Sequence, residues 1–384
     1  MEIARSLQQI QSSYIREILD AANDPNVISL AGGLPDADTF PISLMKETLT
    51  GMADMPEVFQ YSNTAGYGPL LDHLSNHFEL SESQQVMVTT GSQQGLDLIA
   101  RAFINPGDKV VMEAPSYLGA MQVFGLVQAN MLTVPQNQHG PDLDKLETCF
   151  AAEKPKLFYT VPDFHNPTGV CWSLEVRKKV AELCKVYNVA LVEDAPYRDL
   201  RFTGEVLPLV SSFCPENSIV LRSFSKIASP GLRMGIVTGK SGYIEPMIKV
   251  KQGADLHSSV PMQALLLGLL KNKDFPKHID TIRGLYKKRY QKLIDELNAH
   301  LPKECGVNSV EGGMFIWVTI PECDTFALAK SLLAEGVAVV PSDVFYPATA
   351  DKKAALRLNF SNATESELEI AVGRLSKVLE SYFS

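Results

Sequence analysis

Between about residues 85 and 240, short apolar runs alternate with stretches of helical periodicity, and this alternation constrains the fold more than any other feature. The intervening segments 94–103 and 174–187 each place apolar side chains on one helical face. Such spacing is typical of a mainly parallel sheet whose strands are joined by crossover helices. We therefore predict an α/β fold with helices on both faces of the sheet. The apolar runs are 86–88, 110–112, 157–159, 189–192, 219–221 and 234–237.

The pattern changes after Pro276. A long charged helical stretch follows, then a strand-like segment at 313–318 and a final helix, which is a more mixed α+β texture. The N-terminus reads as an amphipathic helix through Ile18, because apolar residues recur among charged ones. We predict a large domain at 45–284 and a smaller α+β domain formed by 1–44 together with 285–384.

Composition excludes several classes of protein. The 384 residues are 45% hydrophobic, which is enough for a large core, and the net charge of −9 with scattered basic residues argues against nucleic-acid binding. There is no signal-peptide pattern and no apolar run of about 18 residues, so we expect a soluble, cytoplasmic protein. The six cysteines and seven histidines lack the spacing of a metal site or disulfide framework, and we expect no metal.

One strand is followed by a lysine among hydroxyls and a guanidinium. The run 219–221 leads to Ser223 and Lys226, and Arg233 comes shortly after. A lysine can form a Schiff base with a carbonyl, while hydroxyls and a bidentate guanidinium can hold a phosphate. Pyridoxal 5′-phosphate would satisfy both requirements. Taken alone, a Ser-x-x-Lys segment is more often a solvated loop.

Two other strand ends carry residues that suit a phosphorylated heterocycle. Run 86–88 ends in a glycine-bounded turn with Ser92 and Gln93 before a helix, where free amides could bind phosphate, although a simple helix N-cap fits as well. Tyr117 lies just past run 110–112, where it could stack on a flat ring or merely pack.

Asparagine, carboxylate and tyrosine side chains follow the next two runs. Asn166 lies in a Pro-Thr-Gly turn, and its amide could donate to a phenolate-like oxygen, although turn asparagines are also common for conformational reasons. Asp194 ends an almost wholly apolar run, so its charge requires a cation, such as a protonated pyridine nitrogen. Tyr197 could reach the same oxygen as Asn166. Because ligands bind at the carboxyl ends of such strands, these side chains predict one cofactor site.

These residues, in this order, resemble the fold type I pyridoxal-phosphate enzymes, specifically the class I/II aminotransferases. The motifs are Asn-Pro-Thr-Gly at 166–169, Asp-Ala-Pro-Tyr at 194–197 and Ser-Phe-Ser-Lys at 223–226 with Arg233. Segments 28–35 and 311–317 look more narrowly like the 2-aminoadipate and kynurenine aminotransferase branch. The resemblance implies a seven-stranded, mainly parallel sheet in the large domain.

The resemblance also implies a role for each site residue. Lys226 would form the Schiff base and act in catalysis with Asp194 and Tyr117, while Gly33, Asn166 and Arg357 would contact the substrate. A homodimer is implied, in which Tyr61 reaches the phosphate of the neighbouring site. The implied cofactor-binding residues are Tyr61, Ser92, Gln93, Tyr117, Asn166, Asp194, Tyr197, Ser223, Lys226 and Arg233. Two positions depart from the family pattern, Asp72 and Ser342, and the second could reshape a substrate loop.

The expected reaction is ping-pong transfer of the amino group of an L-amino acid to a 2-oxo acid such as 2-oxoglutarate. The branch implies a donor of the 2-aminoadipate, aromatic or kynurenine, or branched or aliphatic type. Two alternatives share the scaffold. A C–S β-lyase, or another pyridoxal-phosphate enzyme of this scaffold, would use the same cofactor residues. A non-catalytic ligand-sensing domain also resembles these enzymes, although no helix-turn-helix precedes this segment.

Overall fold

The computed structural model describes residues 1–8, 18 and 24–383. Within them the chain alternates strands and helices as the apolar pattern predicts. The strands, in chain order, are β1 Ile28–Ser29, β2 Gln84–Thr89, β3 Lys109–Ala114, β4 Asn130–Asn137, β5 Gly140–Pro141, β6 Leu157–Thr160, β7 Ala190–Asp194, β8 Ser218–Ser223, β9 Gly235–Lys240, β10 Gly306–Val307, β11 Phe315–Thr319, β12 Val337–Ala338, β13 Val340–Pro341 and β14 Ala355–Asn359.

The predicted crossover helices are confirmed, with bounds that differ by one or two residues. Of the predicted N-terminal amphipathic helix, residues 9–17 lie outside the described residues. The helices are Arg5–Gln8, Ile42–Met52, Gly68–His77, Ser92–Phe103, Leu118–Leu126, Leu143–Glu153, Leu174–Val186, Ser241–Ala254, Val260–Lys271, Phe275–His300, Thr325–Ala334 and Glu365–Phe383. No helix in the described ranges is both long and apolar enough to cross a membrane.

The central sheet has the strand order β2-β9-β8-β7-β6-β3-β4-β5. The pairs β3/β4, β3/β6, β6/β7 and β7/β8 are parallel, whereas β9 is antiparallel to both of its neighbours. The six apolar runs all form strands of this sheet. A seventh strand, β4, was not predicted, because it lies near the edge of the sheet and its residues are mostly exposed or half-buried, so they are not uniformly apolar. The two-residue β5 extends that edge.

The middle strands are buried on both faces, which explains their almost uninterrupted apolar sequences. All four residues of β6 and four of the five in β7 are buried. Such strands need helices on both sides, because both rows of side chains must leave water. The polar residues that directly follow these strands are therefore held at one edge of a rigid, buried sheet.

A second sheet occupies the C-terminal part of the chain. Its four strands are antiparallel in the order β10-β11-β14-β13, and the long helix Phe275–His300 packs against the final helix Glu365–Phe383. The short parallel pair β1/β12 joins the N-terminal segment to this region. The predicted domain division at 44/45 and 284/285 remains a proposal. The two points lie inside the helices Ile42–Met52 and Phe275–His300, so no break in secondary structure marks either of them.

Candidate active site

The ends of β6, β7 and β8 open onto a cavity at the N-terminus of the helix Ser92–Phe103. The predicted site residues line this cavity, with the exception of Gly33, Tyr61 and Arg357. The lining residues are Gly91, Ser92, Gln93, Tyr117, Tyr159, Val161, Asn166, Asp194, Pro196, Tyr197, Ser223, Ser225, Lys226 and Arg233. Residues that are far apart in sequence, from Gly91 to Arg233, thus meet at one sheet edge, as expected for an open α/β sheet.

Lys226 presents an amine with no anionic partner. Its Nζ donates to the carbonyl oxygen of Gly33 at 2.8 Å, and no carboxylate of the described residues lies within 4 Å. Burial lowers the pKa of Lys226 to about 8, and the positive charges of Arg357 and Arg233 act in the same direction. The neutral, nucleophilic form of the amine is therefore accessible near physiological pH. The contact also places Gly33 beside the cavity.

Asp194, the last residue of β7, is a buried carboxylate that is only half satisfied. Its Oδ2 accepts a hydrogen bond from the Tyr159 hydroxyl at 3.0 Å, whereas Oδ1 has no partner. Burial raises the pKa of Asp194 to about 7, although the bond from Tyr159 opposes this shift. A buried carboxylate oxygen without a partner is costly, so this position calls for a cation or donor from a ligand.

Tyr159 is a site residue that the sequence reading missed. It was counted as one of the apolar residues of its run, yet its hydroxyl contacts Asp194 and its ring lines the cavity. A signal was available, because a tyrosine inside a fully buried strand needs a hydrogen-bond partner for its hydroxyl.

Arg357, in β14 of the second sheet, contacts the cavity lining through Asn166. Its Nη1 donates to Asn166 Oδ1 at 2.9 Å, and its Nη2 donates to the carbonyl oxygen of Ala31. The guanidinium carbon lies 4.4 Å from the ring centre of Phe315 and 5.1 Å from that of Phe345. Burial lowers the pKa of Arg357 to about 10, and its Nε has no partner. Arg357 is thus a second cation that has no carboxylate partner among the described residues.

Asn166 and Tyr197 lie together on the same side of the cavity. Because Asn166 Oδ1 accepts from Arg357, the amide NH2 remains available as a donor. The Tyr197 hydroxyl is within hydrogen-bonding reach of Asn166, and burial raises the pKa of Tyr197, so the phenol stays protonated. Both side chains therefore have a donor that could bind a ligand oxygen, and the prediction that they share one oxygen stays a prediction.

A cluster of donors lies at the start of the helix Ser92–Phe103. Gly91 precedes the helix with φ of 77°, and a Cβ there would lie 2.7 Å from Arg233 Nη2. A residue with a side chain would therefore displace the guanidinium from the helix N-terminus. Arg233 donates to the Thr90 carbonyl at 3.4 Å. With Ser92 and Ser223, also on the wall of this cavity, this end forms an anion cradle.

Tyr117 is held by the side chain of Gln93. The tyrosine hydroxyl donates to Gln93 Oε1 at 3.1 Å, and Gln93 Nε2 donates to the Gly119 carbonyl at 3.0 Å. Burial raises the pKa of Tyr117 to about 12, with a further contribution from the charge of Asp194. The phenol ring is thus neutral and fixed in orientation, which suits stacking on a flat ring.

Tyr61 is not brought into the cavity of its own chain. Its side chain is 78% exposed, and its ring lies edge-on to that of His257 at 5.7 Å. Ser342, which departs from the family pattern, lies outside the lining as well, because it is fully buried and its Oγ accepts from the Ala355 amide at 3.1 Å. Asp72 is an exposed residue of the helix Gly68–His77.

The unsatisfied groups fit pyridoxal 5′-phosphate. The free Asp194 Oδ1 suits a protonated pyridine nitrogen, the unpaired Lys226 amine suits an aldehyde, and the cradle at Arg233 suits a phosphate. Within the described residues, no group of three or more histidine, cysteine, aspartate or glutamate side chains could hold a metal ion.

Comparison with known proteins agrees with this chemistry. The family model for aminotransferase class I and II matches residues 25–375. The 2-aminoadipate transaminase of Thermus thermophilus is 36% identical over 379 residues, which cover 97% of this chain and 95% of that protein.

Two solved structures share the whole fold. The kynurenine aminotransferase of Pyrococcus horikoshii, solved with PMP, has a TM-score of 0.95 at 34% identity and covers 100% of this chain and 98% of its own. The α-aminoadipate aminotransferase LysN of Thermus thermophilus, in complex with N-(5′-phosphopyridoxyl)-L-leucine, has a TM-score of 0.92 at 34% identity, covering 99% and 98%. The chain therefore belongs to the class I and II aminotransferases and is a pyridoxal-phosphate-dependent transaminase of fold type I.

Proposed function

We propose that this aminotransferase moves the amino group of an L-amino acid to a 2-oxo acid such as 2-oxoglutarate. The donor we propose is of the 2-aminoadipate, aromatic or kynurenine, or branched or aliphatic type. The observation that carries the proposal is a pair of cationic groups that have no carboxylate partner among the described residues. They are the Lys226 amine, which lines the cavity, and the Arg357 guanidinium, which donates to the lining residue Asn166. The names of the relatives support the donor class.

Arg357 would bind the α-carboxylate of the substrate. A guanidinium presents two parallel N–H groups that match a carboxylate, and its rigid fork fixes the orientation of the bound acid. The rings of Phe315 and Phe345 keep water from the guanidinium and so strengthen this interaction. With the α-carboxylate fixed, the α-carbon would be turned toward the Lys226 amine.

Several side chains would hold the cofactor. When bound, pyridoxal phosphate supplies an aldehyde that condenses with amines and a ring that stabilises negative charge at the substrate's α-carbon. Asp194 would face the ring nitrogen and keep it protonated, and Tyr117 would stack on the ring. Asn166 and Tyr197 would donate to the ring oxygen. Ser92 and Arg233, with Gln93 and Ser223 beside them, would bind the phosphate.

Lys226 would carry the proton during the reaction. Because burial brings its pKa to about 8, both the amine and the ammonium form are populated near neutral pH. Nζ could therefore take a proton from the α-carbon and deliver it to a second position within reach. A lysine with its ordinary pKa would stay protonated and could not act as a base.

The active enzyme would be a cytoplasmic homodimer in which Tyr61 completes the phosphate site of the neighbouring subunit. The exposure of this large ring beside His257 supports the proposal, since a solvated tyrosine of this kind is well placed to contact a second chain. In a Tyr61→Phe protein we expect weaker cofactor binding without loss of dimer, measured by cofactor dissociation and by sedimentation.

The experiment is a half-reaction with a panel of L-amino acids. Holoenzyme is mixed with each amino acid without a 2-oxo acid, and conversion of the Schiff-base absorbance to that of the aminated cofactor is followed. We expect conversion by donors of the proposed types and its reversal by 2-oxoglutarate. A cofactor spectrum that no amino acid alters would refute the transamination.

A C–S β-lyase is the alternative to separate. If the enzyme were a lyase, adding a cysteine conjugate to the holoenzyme would release ammonia and pyruvate continuously, without any 2-oxo acid. Parallel initial-rate lines with two substrates would support the transaminase, because its two half-reactions are separated by release of the first product. Intersecting lines would contradict it.

A further inference from the structure

A second cavity lies next to the cofactor site, between β8, the helix Gly68–His77 and the start of the helix Phe275–His300. Its volume is about 400 Å³, within the range of small-molecule pockets. Ser223 lines both this cavity and the candidate active site. The walls combine polar and apolar side chains in similar measure, and Leu74, Phe78, Phe275 and Ile279 are among the apolar ones.

Arg222, one residue before Ser223, contributes a cation to this cavity. Its guanidinium carbon lies 4.3 Å from the ring centre of Phe78, so the ring covers one face of the group. Within the part of the chain that the structure describes, its nitrogens make no hydrogen bond or ion pair, and Nε is fully buried without a partner. With the ring face covered by Phe78, the N–H edge of the half-buried guanidinium has no protein acceptor among the described residues.

Among the described residues, the fully buried cations show that a cation without a carboxylate partner is unusual in this protein. Most of them have a carboxylate partner within 3 Å. These pairs are Arg177 with Asp163 at 2.7 Å, Arg201 with Glu311 at 2.5 Å, Arg289 with Asp36 at 2.6 Å and Lys251 with Asp255 at 2.9 Å. The exceptions described above, Lys226 and Arg357, face the cavity where cofactor and substrate are proposed to bind. Arg222 resembles these exceptions, since it lines a cavity and forms no ion pair with any carboxylate of the described residues.

We propose that this cavity is a binding site for a small organic carboxylate, with the carboxylate on the N–H edge of Arg222 and an apolar body against Leu74, Phe275 and Ile279. A planar carboxylate matches the guanidinium edge in a bidentate geometry. We expect a cavity of this volume to hold an apolar body of about five to seven carbon atoms.

The other charged groups around the cavity favour a single negative charge. Asp280 is paired with Arg283 at 2.9 Å, and Asp199 is solvent-exposed. The rings of His73 and His77 stack on each other, and burial lowers the pKa of His73, which disfavours a positive charge on that ring. A doubly charged phosphate would be repelled by the carboxylates of Asp199 and Asp280, and Arg222 alone would have to balance its charge. A monocarboxylate carries one negative charge, which Arg222 can balance.

The test uses benzoate and 4-methylpentanoate as probes, with benzyl alcohol as the uncharged control. Carboxylates should also bind at Arg357, so holoenzyme carrying Arg357→Met is titrated by calorimetry to isolate the second cavity. We expect saturable binding of at least one carboxylate and none of the alcohol. Adding Arg222→Met should weaken that binding about tenfold or more, since a charge-assisted bidentate contact is lost.

Two further variants separate ligand binding from a structural role. Ile279→Trp keeps the guanidinium but fills the apolar wall, and it should also reduce binding. Arg222→Met without ligand should unfold no earlier than the parent protein, because an unpaired cation is removed from an apolar setting. Absence of saturable binding by both probes, or equal affinity with and without Arg222, would overturn the proposal.

Discussion

Replacing Asp194 by asparagine should stabilise the cofactor-free protein at alkaline pH while weakening the holoenzyme. In the apoprotein this carboxylate is buried with one oxygen unpaired, and its pKa is raised from 3.8 to about 7. At about 1.4 kcal/mol per pH unit, keeping Asp194 ionised above pH 7 costs the folded apoprotein about 4 kcal/mol. The substituted amide carries no such cost but leaves an N–H group unsatisfied, at about 1–3 kcal/mol.

The sign of the pH dependence follows from proton binding. Between pH 3.8 and about 7 the folded apoprotein holds the Asp194 proton more tightly than the unfolded chain, so wild-type stability falls as the pH rises. The Asp194→Asn variant has no group to titrate at this position. From pH 5 to pH 8 the variant should therefore gain about 3 kcal/mol relative to wild type, and by pH 8 it should be the more stable apoprotein.

The assay is denaturant unfolding of both apoproteins at pH 5 and pH 8, at equal protein concentration, and then with pyridoxal phosphate. Cofactor should stabilise wild type more than the variant, since only the carboxylate can pair with a protonated ring nitrogen. Asp163→Asn is the matched control. Asp163 pairs with Arg177 and Arg198, which lower its pKa, so this variant should lose about 3–5 kcal/mol, equally at both pH values.

A stability difference between wild type and Asp194→Asn that does not change between pH 5 and pH 8 would refute this reasoning. The same conclusion would follow if wild type were the more stable apoprotein at pH 8. Either result would mean that Asp194 is satisfied within the protein and is not held ready for a ligand cation.

Other residues of the site give further expectations. Arg357→Lys should raise KM for the amino donor at least about tenfold, because a point charge replaces a bidentate fork; steady-state kinetics checks this. Tyr159→Phe removes the donor to Asp194 and should destabilise the apoprotein by about 1.5–3 kcal/mol at pH 8, with a smaller effect at pH 5; denaturant unfolding checks it. The rate at which apoprotein captures pyridoxal phosphate should rise with pH and level off above about 8, following deprotonation of Lys226.

The main architecture was predictable because the central strands are buried on both faces. Such strands must be apolar throughout, and β6, β7 and β8 were recognised by that property. The edge strand β4 was not, since half-exposed positions accept polar residues and remove the signal. The two-residue strands β5 and β10 each pair with a strand adjacent in sequence, and they are too short to show an alternating pattern of their own.

The site was predictable where residues lie at the carboxyl end of a strand or in the segment that follows it. Asp194, Asn166 and Lys226 were found in that way, because the carboxyl ends of parallel strands meet at one edge. Tyr159 was missed because it lies within its strand and reads as a core residue. The rings of Phe315 and Phe345 against Arg357 could not be foreseen either, since these contacts join segments of the second sheet and depend on packing alone.

The central claim is that Lys226 anchors the cofactor, and the most direct measurement is chemical trapping. Holoenzyme reduced with borohydride and digested with protease should carry the phosphopyridoxyl group on the peptide that contains Lys226, and an amino donor added before reduction should abolish that label. Lys251, which is buried but paired with Asp255, serves as the internal control and should stay unmodified. Label at another lysine, or none under conditions in which cofactor remains bound, would contradict the account.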